Sequence, residues 1–186
     1  MNATPALRTE HLDLEPVRVA HAQEVWTQLD DERMWRYFAQ LRPKTIGDLR
    51  ALYAKWERGC PDAGEVWWNW LCRERISGEP AAAMQATIML DERVAYVAYA
   101  VYVRHQRKGF AREAVQAIVE RVRETFGITR FLAVMDTRNE PSYRLAESLG
   151  FTRTEMRDGE YTYELKGAPA EPPRPPSEMG PPNQAR

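Results

Sequence analysis

The chain has 186 residues, 44% hydrophobic and 28% charged, and its 26 basic side chains against 27 acidic ones give a formal net charge of -1. That balance excludes the basic excess with which a protein neutralises nucleic-acid phosphates, so no nucleic acid is expected as a partner. No apolar run approaches the roughly 18 residues of a membrane span, and no apolar stretch of a signal peptide opens the chain. Two cysteines and three scattered histidines fit neither a disulfide framework nor a zinc site. The expectation is one cytoplasmic, metal-free globular domain, with no membrane partner.

A polar lead-in over residues 1–10 precedes the domain, expected over 11–166. His11 to Val17 alternates polar and apolar and predicts a first strand closed by Pro16. His21 to Phe38 carries a broken helical stripe of Val25, Trp26, Leu29, Met34, Trp35 and Phe38, with a hinge at Asp30-Asp31. A second helix is predicted from Thr45, whose hydroxyl can accept from free backbone donors, to Gly59, with Leu49, Leu52, Tyr53 and Trp56 on one face.

Glu65 to Arg73 and Ala81 to Leu90 read as strands separated by the turn Ser77-Gly78-Glu79-Pro80. After a tight turn at Asp91 to Arg93, Val94 to Val103 is apolar on both faces and predicts a central strand covered on both sides. Ala111 to Phe126 is the clearest helix, with Ala114, Val115, Ile118, Val119, Val122 and Phe126 in one stripe. Thr129 to Met135 predicts another strand, and Asn139 caps a short helix with Leu145 and Leu149 inward and Gly150 as its stop. Phe151 to Met156 and Glu160 to Leu165 flank the hairpin signal Asp158-Gly159. The order β-α-α-β-β-β-α-β-α-β-β predicts a mixed α/β sheet domain with helices on its faces. From Gly167 to Arg186 the chain carries seven of its thirteen prolines and no aromatic or β-branched residue, which predicts a disordered tail over 167–186.

The informative stretch follows the central strand: Gln106-Arg107-Lys108-Gly109-Phe110-Ala111 opens directly into the long helix. A strand, a short loop with one glycine and two cations, and a helix N-terminus aim free backbone N–H groups at one point, which favours an anion such as a pyrophosphate. Taken alone, such a loop is common.

In context these residues resemble the acyl-CoA loop of the GNAT acetyltransferase superfamily, Gln/Arg-x-x-Gly-x-Gly/Ala, with Gln106, Gly109 and Ala111 in its fixed places. Asn139 to Phe151, with Ser142, Leu145, Glu147 and Gly150, resembles the family's second block, Asn-x-x-Ser-x-x-Leu-x-Glu-x-x-Gly-Phe. The resemblance is nearest to the branch of ribosomal-protein N-terminal acetyltransferases and their small-molecule relatives. It implies a mixed, mostly antiparallel sheet splayed at its central strand, with helices on both faces. It also implies acetyl-CoA as acyl donor, its pantetheine against the backbone of Tyr99 and Val101 with Val103 near the bend. The pyrophosphate would lie on the amides of Arg107, Lys108, Gly109, Phe110 and Ala111, with Asn139 and Ser142 beside the pantetheine and the thioester.

The implied reaction is direct attack by an amine, from a small molecule or a protein N-terminus, without a covalent enzyme intermediate. The Val101 N–H would hold the oxyanion and Ser142 would serve the departing thiolate. The acceptor would enter past Trp35 to Lys44, where Trp35 and Tyr37 are the candidate substrate contacts. This segment is basic and aromatic and leans toward an acidic or aromatic small acceptor. Two departures from the family pattern stand out: Ala146 replaces a tyrosine acid, and Tyr96 stands where relatives carry an acidic candidate base. Tyrosine, with an ordinary pKa near 10, is a poor base at neutral pH. Glu92, Asp136 and Glu160 are left as candidate bases, and a non-catalytic acyl-CoA-binding or sensing domain is the alternative. Trp67, Trp68 and Trp70 read as sheet filling rather than a stacking platform, His105 as a polar residue at a strand end, and the cysteines as non-nucleophilic. A monomer or homodimer is expected.

Overall fold

The computed structural model describes residues 3–167, so the proline-rich tail expected from the sequence lies, apart from Gly167, outside the described residues. Eight strands form one sheet: β1 (Leu7–Arg8), β2 (Leu12–Pro16), β3 (Glu65–Glu74), β4 (Pro80–Met89), β5 (Val94–Val101), β6 (Arg130–Asp136), β7 (Thr152–Arg157) and β8 (Glu160–Lys166). Their spatial order is β1-β2-β3-β4-β5-β6-β8-β7. All neighbours are antiparallel except β5 and β6, which run parallel. The helices are α1 (His21–Leu29), α2 (Ile46–Arg58), α3 (Phe110–Phe126) and α4 (Glu140–Ser148).

Local chemistry sets most boundaries. The Thr45 hydroxyl accepts from the Asp48 N–H at 3.1 Å while the Asp48 carboxylate accepts from the Thr45 N–H at 2.8 Å, a reciprocal cap that starts α2. The break expected at Asp30-Asp31 is present: α1 ends at Leu29, and a 3-10 turn over Glu32–Trp35 follows, started by the Asp31 carboxylate accepting from the Arg33 N–H. The lead-in contributes β1, and the Thr4 hydroxyl and the Pro5 carbonyl also bind β3, through the Asn69 N–H and the Trp70 indole.

Two cores sit on opposite faces of the sheet. On one, α3 sets Ala114, Val115, Ile118, Val119 and Val122 against Trp68, Trp70, Met84, Ala95 and Val97. On the other, α1 and α2 bring Val25, Leu29, Leu49 and Tyr53 onto Leu71 and Tyr102. Trp68 and Trp70 are thus sheet filling, while Trp67 is half-buried on the other face with the Lys55 ammonium 4.7 Å from its ring centre.

Three local expectations are corrected. The central strand stops at Val101, and Val103 instead opens a 3-10 turn over Val103–His105, with its side chain packed on the α1/α2 core. That strand is not covered on both faces: Tyr96 is 39% exposed and Ala98 is open, because the α1/α2 layer stops short of them, and Ala98 lines the cleft that this leaves. In α4 the buried residue is Ala146, which joins the α3-side core, while Leu145 is only half-buried.

Candidate active site

The parallel pair β5 and β6 registers only over Val94↔Arg130, Ala95↔Phe131 and Tyr96↔Leu132. Beyond Tyr96 the strands diverge, although β5 continues to Val101 and stays paired with β4 on its other edge. The Tyr102 N–H donates to the Ala81 carbonyl at 2.9 Å. By strand alternation the N–H groups of Val101 and Tyr99 therefore point off β4, toward the open edge. The Val101 carbonyl points the same way and accepts from the Gln106 side-chain amide at 3.1 Å, so Gln106 braces the loop onto the strand end.

That loop turns through two left-handed residues, Arg107 at φ 62° and Gly109 at φ 85°. The second caps α3, whose 17 residues make it the longest helix described. The main-chain N–H groups of Arg107 through Arg112 make no hydrogen bond to any other described residue. Six successive free donors at the positive end of a helix dipole are a site for an anion. A Cβ at Gly109 would meet nothing within 4 Å, so the space over the loop is open. The two cations expected to add charge differ: Arg107 is exposed, whereas Lys108 is engaged by Glu74 at 3.0 Å. Phe110 is buried in the α3 core, so only its amide faces the loop.

Between the open edge and α1/α2 lies a cleft of about 700 Å³. Both candidate substrate contacts, Trp35 and Tyr37, line it, as do Tyr99, Asn139 and Ser142. Val101, Val103 and the loop residues Gln106 to Ala111 lie outside its lining, further along the strand and its exit. The Asn139 carboxamide oxygen accepts from the Ser142 N–H at 3.4 Å and starts α4, which puts the Ser142 hydroxyl at the cleft without any partner among the described residues. One contact was not foreseeable from spacing: the Tyr99 hydroxyl donates to the Ser142 carbonyl at 3.2 Å, linking β5 to the first turn of α4. Burial holds the Tyr99 phenol above its ordinary pKa, so it acts as a donor and not as a base. Tyr99→Phe is expected to cost about 1 kcal/mol of stability, read by urea unfolding, because the variant loses this one bond while the Ser142 carbonyl remains within α4.

Two of the three candidate bases face each other across β6 and β8, Asp136 opposite Glu160, and both line the cleft; Glu92 does not. Arg138 donates to both Asp136 oxygens, the shorter at 2.6 Å, and holds the carboxyl down to about 2, which makes Asp136 a weak base at neutral pH. A group depressed on folding stabilises above its unfolded pKa, and that contribution is lost as pH falls from about 3.8 toward 2. In Arg138→Ala the Asp136 midpoint, followed by carboxyl NMR, is expected to rise back toward 3.8. Glu160 is exposed and has no cation partner among the described residues. Tyr96 and His105 lie outside the cleft lining. His105 is 3% exposed, stacked near Phe110 and facing Glu74 and Glu79. Cys72 is fully buried, which pushes its thiol pKa up, against any nucleophilic role.

Sequence reasoning missed Gln85, Ala98 and Trp56 as cleft residues. Trp56 belongs to a stripe that reads as inward, and no local signal tells an inward residue that meets core from one that meets a cavity.

A sheet parted at one parallel junction, with a loop of free amides at its exit and a cleft beside it, defines this α/β domain. Residues 11–152 match the family model of the acetyltransferase (GNAT) domain, and the chain belongs to that family. It is similar to the uncharacterized N-acetyltransferase YoaA of Bacillus subtilis, 23% identical over 149 residues that span 80% of this chain and 84% of the relative. Among solved structures it shares its fold with the microcin C7 self-immunity acetyltransferase MccE, crystallised with acetyl-CoA and AMP, at a TM-score of 0.70 and 15% identity, covering 85% of this chain and 93% of the other. It also shares the fold of RimL, a ribosomal L7/L12 α-N-protein acetyltransferase, at a TM-score of 0.71 and 16% identity, covering 87% and 94%. Acetyl transfer is thus the chemistry of its family. No helix among the described residues is long and apolar enough to cross a membrane, and none of their His, Cys, Asp and Glu side chains cluster to hold a metal ion.

Proposed function

We propose that the protein is an acetyl-CoA-dependent N-acetyltransferase acting on an amine by direct attack. The observation that carries this reading is the convergence of three features on one line: the six free amides of the loop, the unpaired edge of β5 and the Ser142 hydroxyl in the cleft. An extended molecule with a diphosphate at one end and amides along its arm fits that line. Arg107 to Ala111 would hold the diphosphate, the open edge at Tyr99 and Val101 would pair with the arm, and Asn139 and Ser142 would flank its reactive end. Bound there, the donor supplies an acetyl thioester.

The residues then have separate tasks. The Val101 N–H, aimed off the ladder, donates to the carbonyl oxygen as it gains charge. The acceptor must present a neutral nitrogen, so a base has to take its proton, and Glu160 is the better placed of the two cleft carboxylates because Asp136 is held by Arg138. A bond forms between the nitrogen and the acetyl carbon while the carbon–sulfur bond breaks. The Ser142 hydroxyl donates to the departing sulfur. Such a role predicts that Ser142→Ala lowers kcat about ten- to a hundred-fold, with little change in the KM for acetyl-CoA.

Thiol release from acetyl-CoA, measured against small amines and N-terminal peptides, tests the reading. Turnover with one acceptor that Ser142→Ala depresses supports it and identifies the acceptor. CoA binding with no turnover on any of them would favour a non-catalytic acyl-CoA sensor. Tyr96 and Ala146, in the places of a carboxylate and a tyrosine acid, motivate that second reading. Absence of CoA binding would overturn both.

A further inference from the structure

We propose that the acceptor half of the cleft selects a monocationic amine with an aromatic or bulky apolar body and disfavours anionic acceptors. This inference rests on the acetyl-transfer reading and specifies its second substrate. The floor is the sheet itself, where the registered pairs Ala83↔Ala100 and Gln85↔Ala98 put three methyl groups and one carboxamide beneath the cavity. Small side chains there give depth that larger ones would fill.

The walls are aromatic and held. Trp35 stands edge-to-face on Phe38 at 5.6 Å, and its indole N–H donates to the Leu29 carbonyl at 2.7 Å. Across the opening Trp56 stacks on Tyr53 at 5.4 Å. Rings fixed in this way offer stacking surface with little further entropy to lose on binding.

Charge is equally one-sided. The charged side chains lining the cleft are Asp136 and Glu160, both beside the Ser142 end. The basic side chains of Trp35 to Lys44 stand outside the lining: Arg42 bonds Asp30 at 3.0 Å, Arg36 lies over the ring of the cleft residue Tyr37, and neither they nor Lys44 line the cavity. Arg138 offsets Asp136, which leaves Glu160 as the uncompensated charge. The charge lining the cleft is therefore acidic, which argues for an ammonium over a carboxylate, while the aromatic walls suit an aromatic body. An ammonium approaching Glu160 would be drawn in with its apolar body over the alanine floor, and a carboxylate would be repelled.

Equilibrium binding to the full chain tests this without requiring turnover. With CoA present, 2-phenylethylamine and 3-phenylpropanoate, which carries a carboxylate on the same two-carbon arm, are titrated calorimetrically, alongside ethylamine. The amine with the ring is expected to bind at least about tenfold more tightly than either comparator. Ala98→Phe, on an open strand position, is expected to weaken 2-phenylethylamine about tenfold while CoA still binds. Equal or tighter binding of the acid, or no binding of the aryl amine by protein that binds CoA, would overturn the inference and leave acetyl transfer standing. Loss of CoA binding in the unaltered chain would instead remove the reading on which the inference rests.

Discussion

Gly109→Glu should weaken CoA binding about a hundred-fold, measured by calorimetry, while the protein stays folded. The residue holds φ 85° at the cap of α3, and a Cβ there meets nothing within 4 Å, so no neighbour needs to move. The left-handed backbone alone costs a non-glycine residue about 1–2 kcal/mol. The carboxylate adds a second effect, since the free amides of Arg107 to Arg112 converge where two phosphates would sit. One unit charge about 5 Å from another at an effective dielectric of about 40 costs about 1.7 kcal/mol, so two phosphates bring the penalty to about 3 kcal/mol, or a hundred-fold. Gly109→Ala isolates the backbone effect and should lower stability without that loss of affinity. If the glutamate variant bound CoA as well as the alanine one, the loop would not be the anion site.

The largest loss of stability is expected from Trp70→Ala, at about 3–5 kcal/mol in urea unfolding. Trp70 is fully buried on β3, registered between Pro16 and Met84, and packs edge-to-face with Trp68 at 5.8 Å. Its indole N–H donates to the Pro5 carbonyl at 2.6 Å, which ties the N-terminal lead-in over the sheet. The truncation opens a cavity beneath α3 and frees that carbonyl together. Protease cleavage before β2 should therefore speed up in the variant. Trp70→Phe keeps most of the volume and should lose less than half as much. A loss under about 1 kcal/mol in the alanine variant would show that the site collapses around the gap.

Signals carried by neighbours in the chain determined much of this protein. The Thr45 cap, the left-handed loop glycine, the Asn139 start of α4 and the Asp158-Gly159 turn each act within a few residues, so their effects are legible in order. The stripe of α3 likewise shows which face it buries, because helical periodicity fixes side-chain direction within one element. Family motifs brought Asn139, Ser142 and the loop together in expectation, and Asn139 and Ser142 line one cleft in the fold.

Other features arise only when distant segments meet. Where β5 and β6 part, and hence which backbone groups stay unpaired, depends on the register of three residue pairs across a crossover helix. The Tyr99 hydroxyl finds the Ser142 carbonyl only when α4 comes beside β5, and Asp136 comes opposite Glu160 only through the separate pairing of β6 with β8. The cleft's charge is hidden in the sequence for the same reason: Arg36, Arg42 and Lys44 stand beside cleft residues in the chain, but none of the three lines the cavity. Composition counts a charge wherever it stands, whereas electrostatics depends on where folding points it, and only the packing of α1 and α2 over the sheet decided that.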